Sequence, residues 1–187
     1  MGSDSEHKCF NGAWCGGSIN IMFRRVIRKG FSFSKIYDDA QKAISGIKDG
    51  SFLLVGGFGF CGVPMNLVNA VRLSGARNLT VASNSCGVDG KDLASDWGLS
   101  MLLRTRQVKR LIFSHLGENV GAQKQYFNGE IELEVCPQGT LAEKFRAGGS
   151  GIPAFYTRTG VDTIVERGGH VLKFKKGPNG LEPEIVA

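Results

Sequence analysis

A short apolar run that leads into a glycine-rich loop constrains this sequence most. Residues 49–64 read Asp-Gly-Ser-Phe-Leu-Leu-Val-Gly-Gly-Phe-Gly-Phe-Cys-Gly-Val-Pro. The order predicts a turn, a buried strand, a loop and the first turn of a helix. Glycine lets a ligand approach backbone N–H groups, and a helix N-terminus is electropositive. The stretch therefore predicts an anion-binding loop at the carboxyl edge of an α/β sheet.

The glycine spacing does not identify a nucleotide-binding loop. Gly57, Gly59 and Gly62 satisfy Gly-x-Gly-x-x-Gly, but the next predicted strand is followed by Ser83-Asn84 and not by a ribose-binding carboxylate. No Lys-Ser or Lys-Thr follows the last glycine, so the loop is not a P-loop. A tight strand-to-helix turn without a ligand is the alternative interpretation.

Hydrophobic periodicity predicts alternating helices and strands through the rest of the chain. Helices are predicted over residues 35–48, 64–73, 96–106, 120–127 and 140–147, and strands over 52–55, 79–82, 110–114 and 130–135. This alternation predicts an α/β fold, an open and mostly parallel sheet with helices on both faces. In residues 130–135, Glu alternates with apolar residues, which predicts three solvated glutamates and not catalytic carboxylates.

Charge, cysteines and hydropathy argue against several classes of partner. The net charge is +6, but residues 1–37 contribute +4, so the rest is too near neutrality for a general nucleic-acid binder. The five cysteines show no CxxC pair, and with three histidines a metal site is not expected. No apolar stretch approaches the ~20 residues of a membrane-spanning helix.

The N-terminal segment has a different character from the rest of the chain. Residues 22–37 contain five basic residues, no acidic residue and interleaved apolar side chains, which is typical of a mitochondrial transit peptide. We predict that residues 1–34 are an N-terminal extension with a transit peptide, and that Met22 is the start in at least one form. A basic tail without a targeting role is the alternative.

Residues 49–64, together with several downstream segments, resemble the class I CoA-transferases. The downstream segments are 83–89 (Ser-Asn-Ser-Cys-Gly-Val-Asp), 117–119 (Gly-Glu-Asn), 137–143 and 146–157, in the order found in that family. The similarity covers about residues 35–176. It implies that residues 35–187 are a partial CoA-transferase α domain, with further strands expected beyond Ala187.

The resemblance also implies roles for individual residues. Gly56, Gly57, Phe58, Gly59 and Gly62 would line the substrate and CoA site and offer backbone donors. Asn84 would face the acyl group or the catalytic carboxylate, and Ser85 stands where the family has a second, longer Asn.

Three more polar residues complete the implied site. Gln138 would donate from its amide to a carbonyl or carboxylate, or would simply stabilise a turn. Glu118 and Asn119 are further candidates for polar site residues.

The catalytic glutamate of the family lies in a Ser-Glu-Asn-Gly motif of a C-terminal half or a separate subunit, and this sequence contains no such motif. The resemblance therefore implies that the nucleophile comes from that β half and that this chain alone is inactive. It implies CoA transfer without a metal or bound cofactor, from succinyl-CoA to a 3-oxo acid such as acetoacetate, in ketone-body breakdown in the mitochondrial matrix. A homodimer is expected for the complete enzyme.

Two alternatives stay open at the level of sequence. The chain could be a catalytically silent short isoform that pairs with full-length subunits. It could instead belong to a transferase for another short-chain acid, such as acetate or butyrate.

Overall fold

The computed structural model describes residues 35–187 except Glu118 and Asn179, so the predicted N-terminal extension lies outside the described residues. Helices and strands alternate along the described part. The helices are α1 (Ala40–Ile44), α2 (Met65–Ser74), α3 (Ser100–Arg104), α4 (Val120–Phe127), α5 (Gln138–Ser150) and α6 (Ile164–Arg167). The strands are β1 (Phe52–Val55), β2 (Leu79–Ser83), β3 (Val108–Phe113), β4 (Glu132–Val135), β5 (Val171–Gly177) and β6 (Gly180–Val186).

The first four strands form one parallel sheet in the order β1-β2-β3-β4. Its register places Val55 of β1 opposite Ser83 of β2, and Phe113 of β3 opposite Val135 of β4. Strands β5 and β6 form a separate antiparallel hairpin. The predicted α/β architecture with a parallel sheet is confirmed.

One face of the sheet carries the main core. Helices α1 to α4 pack there on alternate side chains of the strands, among them Val81, Leu111 and Leu133. Right-handed crossovers between strands that are added in one direction place every connecting helix on the same face. This rule explains why α2, α3 and α4 share a face.

The opposite face is covered by α5. Leu141 of α5 packs on Ala82 and Ile112, and Phe52 and Phe145 complete this smaller core. Leu54, on the same face of β1, remains 58% exposed. Helices therefore lie on both faces of the sheet, as predicted. The core between the sheet and α5 contains far fewer buried residues than the core on the other face.

Two hydrogen bonds between the Asp49-Gly50 turn and Arg77 explain why an Asp-Gly turn precedes β1. The Asp49 carboxylate accepts a hydrogen bond from Arg77 N at 2.8 Å, and Gly50 N donates to Arg77 O at 2.9 Å. Gly50 has a φ of +73°, a conformation that glycine adopts without strain. The turn thus ties the start of β1 to the turn before β2 and fixes the register of the two strands.

Several predicted boundaries shift in the structure. The first helix is shorter than residues 35–48, because it begins after Asp39, whose side chain caps Lys42 N at 2.7 Å. Helix α5 is longer than residues 140–147, because it begins directly after Pro137. The β5–β6 hairpin was not predicted, although charged residues alternate with uncharged ones in Leu172-Lys173-Phe174-Lys175 and in Leu181-Glu182-Pro183-Glu184-Ile185. Helix α6 was not predicted because its four residues are too few to show a helical period.

The glutamates of residues 130–135 are not simply solvated. The side chain of Glu134 is 20% exposed and lies 3.3 Å from Lys144 of α5, and Arg110 of β3 donates to it at 2.5 Å. Glu130 pairs with Arg106 at 3.0 Å. The prediction that this face of β4 is fully solvated is wrong, because α5 covers the face and places the charged side chain of Lys144 beside Glu134. The related expectation that these carboxylates are structural stays a prediction.

Candidate functional site

Four loops meet at the carboxyl edge of the parallel sheet. Because the strands are parallel, the segments that follow them all leave the sheet on the same side; these segments are residues 56–64, 84–99, 114–117 and 136–137. Ligands of open α/β sheets bind in crevices at this edge. The predicted position of the glycine loop is therefore confirmed.

The glycine loop contains a miniature hairpin. Phe58 N donates to Cys61 O at 2.9 Å and Cys61 N donates to Phe58 O at 3.0 Å, so that Gly59 and Phe60 form a two-residue turn. Gly59, at the first turn position, has a φ of +58°, which favours glycine in such turns. Phe58 and Phe60 are 67% and 65% exposed, so the hairpin presents two aromatic rings to solvent.

A narrow cleft separates this loop from the segment that follows β2. Its lining residues come from the end of β1 and the glycine loop (Val55, Gly56, Gly57, Val63), from the end of β2 (Ser83, Ser85, Gly87) and from the turn before α3 (Gly98, Leu99). The cleft has a volume of about 10 Å³, which is room for about one water molecule. It can hold a carbonyl oxygen, and the remainder of any larger substrate must lie outside it.

Glycines allow the two sides of the cleft to approach. A β-carbon on Gly57 would lie 2.7 Å from Val63 Cγ2, and one on Gly87 would lie 2.2 Å from Trp97 O. A β-carbon on Gly98 would lie 3.3 Å from Gly87 Cα. All three have positive φ, so both space and conformation select glycine there.

The loop between β2 and α3 is held by charged side chains. Asp96 is buried and accepts hydrogen bonds from Gly90 N at 2.8 Å and from the Arg104 guanidinium, with Nη2 at 2.6 Å. The hydrogen bond to Asp96 raises the pKa of Arg104 further. Val88 and Trp97 exchange backbone hydrogen bonds at 3.0 and 2.9 Å. Hydrogen bonds therefore hold the loop in a defined conformation, although residues 84–99 contain little regular secondary structure.

Asn84 and Ser85 take different positions. The Asn84 amide donates to Ser114 Oγ at 2.7 Å, and Asn84 O accepts from Ser114 N and His115 N, both at 3.1 Å. Asn84 thus joins the ends of β2 and β3. Ser85 lines the cleft. In this structure the shorter residue, and not Asn84, faces the glycine loop.

Asn119 is fully buried and caps α4. Its Oδ1 accepts from Ala122 N at 2.7 Å, and its Nδ2 donates to Cys86 O at 3.1 Å and Gly87 O at 3.4 Å. With both ends of the amide bonded to backbone, Asn119 stands behind the cleft and does not line it. Glu118 lies outside the described residues.

Gln138 lies apart from the cleft. It is the exposed first residue of α5, after β4. Three strand spacings, about 14 Å, separate β4 from β1 and its glycine loop. The structure does not bring Gln138 together with Gly57 and Ser85, and its amide is not buried in a turn as a fixed donor would be.

Cys86, next to Ser85 and Gly87, is not a nucleophile in this structure. Burial, with a smaller effect from the Asp89 charge, raises the pKa of its thiol far above the ordinary value. The side chain is therefore a neutral thiol that fills the core below the cleft.

The structure adds site residues that the sequence had not singled out. Ser83, Val63, Gly98 and Leu99 line the cleft, and Asp96 braces it. Gly87 lay within the recognised 83–89 segment, but nothing in the local sequence marked the Trp97-Gly98 turn as its neighbour. No helix in the described part of the chain is both long and apolar enough to cross a membrane.

Comparison with known proteins agrees with this geometry. The sequence pattern of the coenzyme A transferase family matches residues 37–182. The chain belongs to the coenzyme A transferase family. The range that matches this family includes the glycine loop of residues 56–64 at the carboxyl edge of the sheet.

A mouse protein and a bacterial protein that are similar to this CoA-transferase chain have the same enzyme name. The mouse mitochondrial succinyl-CoA:3-ketoacid coenzyme A transferase 2A is 45% identical over 159 residues, which are 85% of this chain and 29% of that protein. One subunit of the same-named transferase from Xanthomonas campestris pv. campestris strain B100 is 52% identical over 155 residues, which are 82% of this chain and 62% of that bacterial subunit. The chain thus spans under a third of the mitochondrial relative and about three fifths of the bacterial one.

Solved structures share the fold. The acyl-CoA transferase YdiF of Escherichia coli O157:H7, in a thioester complex with CoA, has a TM-score of 0.57 and 25% identity over 68% of this chain and 25% of that one. A cysteine-to-serine variant of the decarboxylase AibA/AibB has a TM-score of 0.53 at 19% identity, covering 79% of this chain and 57% of that chain. The second likeness concerns the fold alone.

Proposed function

We propose that this chain is the N-terminal, α part of a 3-oxoacid CoA-transferase, which moves CoA from succinyl-CoA to a 3-oxo acid such as acetoacetate. The observation that carries the proposal is the cleft between the glycine loop and residues 83–87, which offers backbone polar groups and serine hydroxyls but no acidic side chain among its lining residues. A site of this kind suits the stabilisation of a carbonyl that another group attacks. The names of the relatives supply the substrate class.

The proposed reaction uses a glutamate of the β half as nucleophile. Its carboxylate attacks the thioester carbonyl, which releases CoA thiolate and leaves an acyl-glutamyl anhydride. The thiolate then attacks the glutamyl carbonyl, which releases the first carboxylate and leaves a glutamyl-CoA thioester. The second carboxylate reverses these two steps and departs as the new thioester. No metal or resident cofactor takes part.

This chain would stabilise the negative charge that develops on the carbonyl oxygen in each step. Gly57 lines the cleft, and no hydrogen bond among the described residues uses its N–H group. A preorganised donor aimed at a developing oxyanion contributes most where water is excluded, and the cleft is narrow. We propose Gly57 N–H as that donor, with the Ser85 hydroxyl as its neighbour across the cleft.

The remaining candidate residues have supporting roles in this proposal. Gly59 and Gly62 shape the loop through their positive φ angles. Gly56 lines the cleft, and Phe58 covers the substrate side. Asn84 orients the edge of the site through Ser114. Gln138 can reach only a part of the substrate that extends along the sheet edge, and Glu118 stays a candidate polar contact.

We further propose that the chain works with a β half, that the complete enzyme is a homodimer, and that it acts in the mitochondrial matrix during ketone-body breakdown. The basic, acid-free residues 22–37 and the mitochondrial names of the mouse relatives support the location. The bacterial relatives are each named as one subunit of a transferase, which supports a second component.

A chimaeric transferase tests the proposal directly. Residues 37–182 of this chain replace the matching segment of the related Xanthomonas campestris subunit, which is co-expressed with its partner. We expect acetoacetyl-CoA to form from succinyl-CoA and acetoacetate, and we expect the isolated 187-residue chain to form none.

Three outcomes are distinguished by this assay. Activity with acetoacetate supports the proposal, and a preference for acetate or butyrate as acceptor would replace the substrate. A chimaera that assembles, as judged by its mass in solution, but lacks all transferase activity contradicts the proposed role. The last result would favour the silent isoform.

A further inference from the structure

Asn119 connects the N-terminus of α4 with the backbone of residues 86 and 87, although it does not line the cleft. Its amide accepts from the first turn of α4 and donates to Cys86 O and Gly87 O, which lie 33 and 32 residues earlier in the chain. The residue is 0% exposed, so water does not compete for these hydrogen bonds. The position of Gly87 is therefore coupled to the N-terminus of α4.

Asp89 adds a second connection to the same helix end. Its carboxylate accepts hydrogen bonds from Gly121 N in the first turn of α4 and from the Ser100 hydroxyl of α3. A β-carbon on Gly121 would lie 2.8 Å from the Asp89 carboxylate, so the approach is close. Residues 86–89 are thus bonded to two helices, and the backbone that carries Ser85 and Gly87 cannot shift alone.

We propose that Asn119 is a positioning residue, which fixes the distance between Gly87 and the glycine loop and so the width of the cleft. The inference rests on the proposed function for its effect on catalysis. Misplacement of a catalytic group by about 1 Å can lower a rate by about 100-fold. Since Gly87 packs beside Gly98, and Gly98 beside Val63 of the glycine loop, a shift at Gly87 changes the cleft itself.

The capping and positioning roles of Asn119 are separable by substitution. Serine caps a helix about as well as asparagine, but its short side chain cannot also reach Cys86 O and Gly87 O. Asn119→Ser therefore keeps the cap and loses the two donations, whereas Asn119→Ala loses both. Gln107→Ser is the matched control, because the buried Gln107 amide also donates to two backbone carbonyls, Val71 O at 3.2 Å and Ala76 O at 2.9 Å.

Gln107 precedes β3 at the opposite edge of the sheet from the cleft. Its substitution should destabilise the fold without moving the cleft. The two variants therefore separate a general loss of stability from a loss of positioning.

The first measurement is amide hydrogen exchange in the 187-residue chain. We expect Asn119→Ser to speed exchange of Val88 N, which donates to Trp97 O, and of Cys61 N in the glycine loop by about tenfold or more. Gln107→Ser should leave both amides at the wild-type rate. Unchanged exchange of Val88 N in Asn119→Ser, or an equal effect of Gln107→Ser, overturns the proposal.

The second measurement is turnover by the chimaera with its bacterial partner. We expect Asn119→Ser and Asn119→Ala to lower kcat to a similar degree, roughly 10- to 100-fold. Both variants should lower the unfolding temperature, Asn119→Ala more than Asn119→Ser, because only the alanine variant also loses the helix cap. A wild-type kcat in Asn119→Ser would mean that Asn119 is a helix cap only. If the unsubstituted chimaera has no activity, the proposed function fails, and the exchange result alone decides the positioning role.

Discussion

Gly57 and its neighbour Gly56 are adjacent glycines with different structural requirements. A β-carbon at Gly57 meets Val63 Cγ2 at 2.7 Å and the Val63 backbone at 3.3 Å, and φ at Gly57 is +121°. A β-carbon at Gly56 meets no atom within 4 Å, and its φ lies outside the left-handed region. Only one of the two positions needs glycine for the fold of the loop.

We therefore expect Gly57→Ala to lower the free energy of unfolding by about 1–3 kcal/mol. Gly56→Ala, the matched control, should change it by less than about 1 kcal/mol. Urea unfolding followed by circular dichroism measures both. Equal losses in the two variants would contradict the strain argument.

Glu134 illustrates a residue whose charge state depends on two neighbouring elements. Its partial burial opposes ionisation, but the hydrogen bond from Arg110 and the charges of Lys144 and Arg110 hold the pKa of its carboxyl below the ordinary value of 4.5. A group with a lowered folded-state pKa stabilises the fold above its unfolded pKa, and the contribution disappears as the pH falls through the folded pKa.

Glu134→Gln should consequently cost roughly 1 kcal/mol at pH 7. The difference between the variant and the wild type should shrink below pH 4.5, because the wild type then loses the same interaction. Urea midpoints between about pH 7 and pH 3 give the comparison. A difference that stays constant over this range would mean that ionised Glu134 does not stabilise the fold.

At the scale of elements, the β5–β6 hairpin is joined to α4 through aromatic contacts. The ring of Phe174 lies 5.0 Å from that of Tyr126 and 5.9 Å from that of Phe127, measured between centroids, and the Tyr126 hydroxyl donates to Val171 O. Helix α4 therefore connects the hairpin with the loop that carries Asn119.

Phe174→Ala should loosen the hairpin and leave the four-stranded sheet intact, because Phe174 is not part of the main core. We expect faster proteolysis between residues 168 and 187, with unchanged exchange of the β2 and β3 amides. Tyr156→Ala, at a side chain that is 91% exposed, should change neither. Loss of protection throughout the sheet would show that the hairpin is an integral part of the fold.

At the scale of the whole molecule, charge is distributed unevenly. The net charge of +6 falls to +2 when residues 1–37 are excluded, and residues 22–37 contain no acidic residue. A basic segment of this kind is typical of mitochondrial import signals, whereas the near-neutral remainder has no such property.

Deletion of residues 22–34 should abolish uptake of the chain by isolated mitochondria. Deletion of residues 1–21, which leaves Met22 as the start, should preserve it. Protection of the imported chain from added protease provides the measurement. Uptake that is unchanged after deletion of residues 22–34 would refute a targeting role for that segment.

The sequence by itself determined the elements whose signals are local. The strand and glycine loop within residues 49–64, and the helix that begins after Pro64, were predictable, because an apolar run, glycines and Pro64 each act on the backbone within a few residues. The parallel sheet followed from the alternation of strands with helices. The family resemblance rested on the same short segments.

Only the tertiary structure decided which side chains meet. Asn119 bonds to Cys86 across 33 residues, Ser85 and not Asn84 lines the cleft, and Gln138 lies three strands from Gly57. These outcomes depend on strand order, register and helix placement, which are set by the packing of residues distant in sequence. A local sequence pattern does not indicate which distant residues will be in contact. The sequence therefore predicted the glycine loop, whereas the tertiary structure determined which residues face it.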